Sequence, residues 1–131
     1  MNMLIISDDP YIKRAIKKAI CDFDASCTIF EVFTPRDALS VLQSKRIDVV
    51  FSEIEMREMN GLSFIEAHKR LCYGICWFVM SEFKNFYDVQ KAIKLGVRDY
   101  VLKPVDEAGI YSLIENANAM PPGYAGCASC C

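Results

Sequence analysis

Short apolar runs alternate with longer segments of helical period along this chain, and that alternation restricts the fold more than any other feature. Met3–Ile6 is apolar, and Asp9-Pro10 then opens a segment in which Ile12, Ala15, Ile16, Ala19, Ile20 and Phe23 recur at helical spacing. Asp9 is placed to cap that helix. Cys27–Phe33 reads as a second strand, and Thr34-Pro35-Arg36-Asp37 as a capping box opening a helix with Ala38, Leu39, Val41 and Leu42. Ile47, Val49, Val50 and Phe51 form a third strand rich in β-branched residues. Asn60-Gly61 is a turn before a helix marked by Leu62, Phe64, Ile65, Ala67 and Leu71. Cys76–Met80 is the fourth strand. The next helix carries Val89, Ala92, Ile93 and Leu95 and stops at Gly96. Asp99–Leu102 is the fifth strand, and Ile110, Leu113, Ile114 and Ala117 mark the last helix. Five strands alternating with five helices predict an α/β fold: a doubly wound parallel sheet with helices on both faces.

Such a sheet places its ligand crevice beyond the carboxyl ends of its strands. Those ends carry Asp8 and Asp9 (first strand), Glu53 (third), Ser81 (fourth) and Lys103 (fifth). Each alone has an ordinary reading as a cap or a solvated charge. Four together, all at strand ends, point to a site. Carboxylates from two strands, with the backbone carbonyl of Glu55, can hold a hard cation such as Mg²⁺. A hydroxyl and an ammonium opposite suit an anionic oxygen group.

A chain of 131 residues fits one core, here assigned to residues 1–119, with 120–131 read as a flexible Cys-rich tail. A net charge of −2 leaves no electrostatic footprint for nucleic acid, so no DNA contact is expected from this domain itself. No apolar run is long enough for a membrane span, and the N-terminus lacks a signal-peptide pattern, so a cytoplasmic location is expected. Cys21, Cys27, Cys72 and Cys76 lie in or beside apolar segments and read as reduced thiols. Cys127, Cys130 and Cys131 offer three thiols, one short of a closed zinc site.

The stretches Lys91–Val105 (KAIKLGVRDYVLKPV) and IDVVFSEIEMREMNGLSFI, beginning at Ile47, make the chain resemble the receiver domains of two-component response regulators. The likeness covers residues 1 to about 119 and looks nearest to receivers of AraC-type transcriptional regulators. It implies a flavodoxin-like sheet with strand order 2-1-3-4-5. It also implies an acidic pair at Asp8 and Asp9, with Ser7 where a first acidic residue often stands and Asp8 the likelier direct metal ligand. The phosphoacceptor position falls on Glu53, the hydroxyl position on Ser81, the lysine position on Lys103 and the aromatic switch position on Tyr100. The proline after the lysine, often preceded by a cis bond, falls on Pro104. Implied partners are a sensor histidine kinase or another signalling protein. The resemblance also implies a homodimer face formed by the helix after Ser81, the fifth strand and the last helix. Phe83, Phe86 and Tyr87 stand near the start of that helix.

The departure lies at the acceptor, which in the family is aspartate. Glutamate is longer by one methylene, about 1.5 Å. Misplacing a reacting group by about 1 Å can cost on the order of 100-fold in rate. Inefficient phosphorylation of Glu53 is therefore expected. Three carboxylates at one site repel one another unless a cation is present, and Lys103 offsets one charge, so Mg²⁺ binding is expected to be weak or absent. Two outcomes stand open. In one, Glu53 reaches toward Ser81 and Lys103 and imitates a phosphoryl aspartate, with Tyr100 turned inward. In the other, Glu53 pairs with Lys103 and the domain is a fixed interaction module.

A flavodoxin-like enzyme is the rival class. No glycine-rich phosphate loop follows the first strand, where Ser7-Asp8-Asp9-Pro10 stands. The one histidine, His68, falls on the third helix, away from the strand ends, so no catalytic role is expected. A receiver fragment of a DNA-binding regulator is the remaining reading. The residues after Ala119 are too few for a second helical domain.

Overall fold

The computed structural model describes residues 1–118. The elements run β1 (Asn2–Ile6), α1 (Pro10–Phe23), β2 (Thr28–Val32), α2 (Pro35–Ser44), β3 (Val49–Glu53), α3 (Gly61–Ala67) and α4 (Lys69–Cys72). They continue with β4 (Cys76–Ser81), α5 (Phe86–Leu95), β5 (Asp99–Leu102) and α6 (Glu107–Asn118). All the strand pairings are parallel, in the order β2-β1-β3-β4-β5. The predicted doubly wound architecture and strand order are what the chain adopts. Residues 120–131, read as a tail with its three cysteines, lie outside the described residues.

Side-chain alternation along each strand divides the interior into two layers. Leu4, Ile6, Val50, Trp77 and Val79 face one side, where α2 contributes Ala38 and Leu42, α3 Leu62, Phe64 and Ile65, and α5 Ala92 and Leu95. Met3, Ile5, Val49, Phe51, Phe78 and Met80 face the other, covered by Ile12, Ile16, Ala19 and Ile20 of α1 and Ile110 and Ile114 of α6. Phe51 and Phe78 are register partners, and their rings stack with centroids 4.7 Å apart. Such a cross-strand aromatic pair fixes the register of the two central strands, because a slip of one residue would turn every side chain to the opposite layer.

The helix termini follow from local chemistry. Asp9 caps α1 by accepting from the amides of Tyr11 and Ile12, and Thr34 caps α2 through Asp37. Asn60, expected only as part of a turn, is the N-cap of α3, accepting from Leu62 and Ser63. Gly96 ends α5 in the left-handed region at φ 77°. One helix differs from expectation: the third breaks at His68, whose φ −124° and ψ 41° leave the helical region, so a short α4 follows α3. His68 there packs its ring on Phe64, 4.8 Å between centroids, remote from the strand ends. The described cysteines Cys21, Cys27, Cys72 and Cys76 are thiols. Burial pushes the Cys72 thiol up to about 12.

Candidate functional site

Glu53 is the last residue of β3, so its side chain emerges at the carboxyl edge of the sheet between β1 and β4. It is 6% exposed. A carboxylate that deep needs partners, and two groups supply them. The Ser7 hydroxyl, just past β1, donates to Oε2 at 2.7 Å. The Lys103 ammonium, just past β5, lies 2.6 Å from the carboxylate. Lys103 also reaches Asp9 Oδ2 at 3.3 Å. Its backbone is fixed by its own N–H to the Ser81 carbonyl at 2.8 Å, and the bond to Pro104 is cis.

The cluster closes on itself. Ser7 Oγ accepts the Asp9 amide at 3.0 Å while donating to Glu53. Asp9 Oδ1 serves the amides of Tyr11 and Ile12, leaving Oδ2 for Lys103. Burial alone would raise the Asp9 carboxyl. The Ile12 amide, Lys103 and the Tyr11 amide outweigh it and hold Asp9 below the usual carboxylate range. Burial likewise disfavours the Lys103 ammonium, but Glu53 first and Asp9 second carry it above the usual lysine value. Beside this cluster an open cleft of about 440 Å³ is lined by Asp9, Tyr11, Ile12, Glu82, Lys103, Pro104 and Val105.

Glycine at position 61 is required by the same strand end. Gly61 donates its N–H to the Ile54 carbonyl at 2.7 Å, and a Cβ there would collide with the backbone carbonyl of Glu53. The loop from Glu53 to α3 can therefore fold back against β3 only with glycine at this point.

Ser81 ends β4 and is fully buried. Its hydroxyl goes to Glu55 Oε1 at 2.8 Å, and not to Glu53. It also accepts the Phe83 amide at 2.9 Å. Tyr100, half-buried against the layer containing Val79 and Leu95, donates its hydroxyl to the Phe83 carbonyl at 2.6 Å. Burial raises the Tyr100 phenol, with Ser81 opposing.

The expected ligand set for a cation, Asp8, Asp9 and Glu53 with the Glu55 carbonyl, is not assembled. Asp9 and Glu53 both turn to the Lys103 ammonium, Glu53 is further closed by Ser7, and Asp8 is exposed. Among the described residues no group of three or more His, Cys, Asp or Glu side chains is placed to hold a metal ion. Mg²⁺ demands near-octahedral oxygen ligands at about 2.0–2.1 Å, and the donors here are committed elsewhere. In this arrangement Asp9 and Glu53 face Lys103 and do not form a cation site.

Two participants escaped sequence reasoning. Ser7 was legible only as a missing acid, yet it supplies the donor that buries Glu53. Glu55 was read through its backbone carbonyl, while its side chain is what enters the site. The pattern Glu-x-Glu at a strand end does not reveal it, because side chains two apart share a face only while the strand continues, and β3 stops at Glu53.

Comparison with known proteins agrees with this geometry. The response regulator receiver domain model matches residues 3–115. The chain is 30% identical over 116 residues to the DNA-binding transcriptional regulator NtrC of Proteus hauseri, covering 88% of this chain and 24% of that protein. It is 28% identical over 121 residues to the transcriptional regulatory protein ZraR of Salmonella typhimurium, covering 82% and 27%. The chain thus spans about a quarter of the length of these relatives. They are regulators of the NtrC type, which corrects the expected likeness to receivers of AraC-type proteins. Among solved structures it superposes on the chemotaxis response regulator CheY4 of Vibrio cholerae with a TM-score of 0.76 at 19% identity, covering 88% and 96% of the two chains. It matches a CheY-like receiver domain protein of Methanospirillum hungatei JF-1 with a TM-score of 0.78 at 18% identity, covering 88% and 91%. The family match over nearly all the described residues, the strand order and the cluster at the carboxyl edge lead to one conclusion: the chain belongs to the response regulator receiver domain family of two-component signalling.

Proposed function

We propose that this receiver domain signals without efficient phosphorylation, because Glu53 stands at the phosphoacceptor position and is held closed by its own neighbours. Receiver domains are signalling modules that typically bind Mg²⁺ at the phosphorylation site and interact with histidine kinases and effector domains. In-line phosphoryl transfer needs a carboxylate oxygen free to attack and a cation to offset charge on the phosphoryl oxygens. The observation that carries the reading is the Ser7–Glu53–Lys103 cluster, at 2.7 Å and 2.6 Å. It neutralises the carboxylate internally and leaves its oxygens engaged. Opening it for a phosphodonor would part Glu53 from Lys103 and leave a buried carboxylate without its cation, which is costly.

In this reading Asp8, Asp9, Ser81, Lys103 and Tyr100 are the remaining pocket and switch positions, and Mg²⁺ binds weakly or not at all. The domain then acts as an interaction module. Its partner surface is the face of α5, β5 and α6, where Phe83, Phe86, Tyr87 and Leu102 are exposed. This face serves a second copy or another signalling protein. The similarity to NtrC and ZraR favours a receiver that works with a DNA-binding output, with no DNA contact by this domain. No helix among the described residues is long and apolar enough to cross a membrane. Incubation with acetyl phosphate and Mg²⁺, followed by intact mass, tests the proposal. An unchanged mass is expected. A stoichiometric gain of one phosphoryl group, absent in Glu53→Gln, overturns it.

A further inference from the structure

We infer that the Glu55 carboxylate is a built-in substitute for the phosphoryl oxygen that Ser81 would otherwise meet, and that it fixes the loop after β4 and Tyr100 in one arrangement. The inference rests on the reading above, in which Ser81 occupies the hydroxyl position of a receiver pocket.

The Ser81 hydroxyl has one proton to donate, and it goes to an anionic oxygen, Glu55 Oε1, at 2.8 Å. Ser81 is fully buried, whereas Glu55 sits on an exposed loop with water as its alternative partner. Glu55 makes no ion pair among the described residues, and the pocket cation Lys103 is committed to Glu53 and Asp9. Its approach to Ser81 is thus explained by the hydroxyl itself. A hydroxyl donating to a carboxylate is a charge-assisted hydrogen bond, stronger than one between neutral groups.

That bond is transmitted. With its proton directed at Glu55, Ser81 Oγ presents a lone pair to the Phe83 amide at 2.9 Å. The other side of the same residue is held by Tyr100, whose hydroxyl meets the Phe83 carbonyl at 2.6 Å. The backbone of Phe83 is therefore clamped at both its N–H and its C=O. Its side chain is 61% exposed beside Phe86 and Tyr87, on the proposed partner face. The two tasks of a phosphorylated aspartate are divided between two glutamates. Glu53 satisfies the ammonium of Lys103, and Glu55 satisfies the hydroxyl of Ser81. Glu55 is a positioning residue, acting on the partner face through Ser81.

Amide hydrogen exchange at Phe83, followed by NMR on the whole chain, tests this. Glu55→Ala and Glu55→Asp, the latter one methylene too short to reach, are expected to speed Phe83 exchange by about tenfold, the size of one charge-assisted hydrogen bond in a local opening equilibrium. Glu55→Gln keeps an acceptor oxygen at full reach and should retain part of the protection. Combining Glu55→Ala with Ser81→Ala should add nothing to Ser81→Ala alone. Unchanged Phe83 exchange in Glu55→Ala and Glu55→Asp, or full additivity in the double variant, would overturn the inference. These outcomes are separate from the acetyl phosphate result: a phosphorylated Glu53 would sink the proposed function, whereas an indifferent Phe83 amide with Glu53 unmodified would sink only the role of Glu55.

Discussion

Ser7 and Glu53 are joined across the edge of the sheet: the Ser7 hydroxyl donates to the Glu53 carboxylate at 2.7 Å while accepting the Asp9 amide at 3.0 Å. An acid at position 7 would repel Glu53, whereas a hydroxyl donates to it. The longer acceptor side chain and the missing acid compensate each other. Ser7→Ala is expected to leave Glu53 short of one donor in a buried setting and to cost about 1–3 kcal/mol. The midpoint and slope of urea unfolding check this; an unchanged midpoint would mean that Ser7 does not support Glu53.

Lys103 is the only ammonium on Glu53 among the described residues, and removing it strands a buried carboxylate. Lys103→Met should destabilise the fold by about 3 kcal/mol at neutral pH. The sign with pH follows from the direction of the shift. The folded-state value of Lys103 is raised, chiefly by Glu53 over the opposing effect of burial. Its contribution is fully present below the ordinary lysine value of about 10.4 and is lost as pH rises through the higher folded value. The gap in urea midpoint between wild type and Lys103→Met should stay constant from pH 7 to about 10 and narrow as pH rises beyond about 10.4. A gap that widened in alkali would contradict the ion pair.

Gly61 lies against the strand end that positions Glu53. Because an added Cβ meets the Glu53 carbonyl, Gly61→Ala should cost about 1–3 kcal/mol by overpacking, despite the gain in chain stiffness that alanine usually brings. Thermal melts of the two proteins decide it, and equal or raised stability in the variant would show that the loop can withdraw freely.

Mg²⁺ should give weak heat or none in calorimetric titration, because Asp9 and Glu53 are already bound to Lys103. Saturable binding that disappears in Glu53→Gln would show that the cluster opens readily to a cation.

Much of this arrangement was legible in the residues. The strand ends followed from the alternation of apolar runs with helical periods, and they named Asp9, Glu53, Ser81 and Lys103 as neighbours. Pairing within that set was not legible. Whether Glu53 meets Ser81 or Lys103 depends on the direction a side chain takes after a strand ends, and period-2 alternation no longer governs beyond Glu53. For the same reason Glu55 was assigned by its carbonyl while its carboxylate reaches Ser81. The break at His68 was hidden because Leu71 keeps the apolar spacing of α3 although the backbone leaves the helix. The resemblance makes Asp8 the likelier metal ligand and the helix start makes Asp9 a cap, and in the structure Asp8 is exposed. Capping of α1 and the pair with Lys103 draw only Asp9 inward.

The central claim is that Glu53 is kept from acting as a phosphate carrier by groups of its own chain. Intact mass of the protein recovered rapidly and in the cold from cells that contain its signalling partners tests it most directly. The predicted result is the mass of the unmodified chain under every growth condition tried. A population one phosphoryl group heavier, mapped to Glu53 and rising and falling with a stimulus, would contradict it.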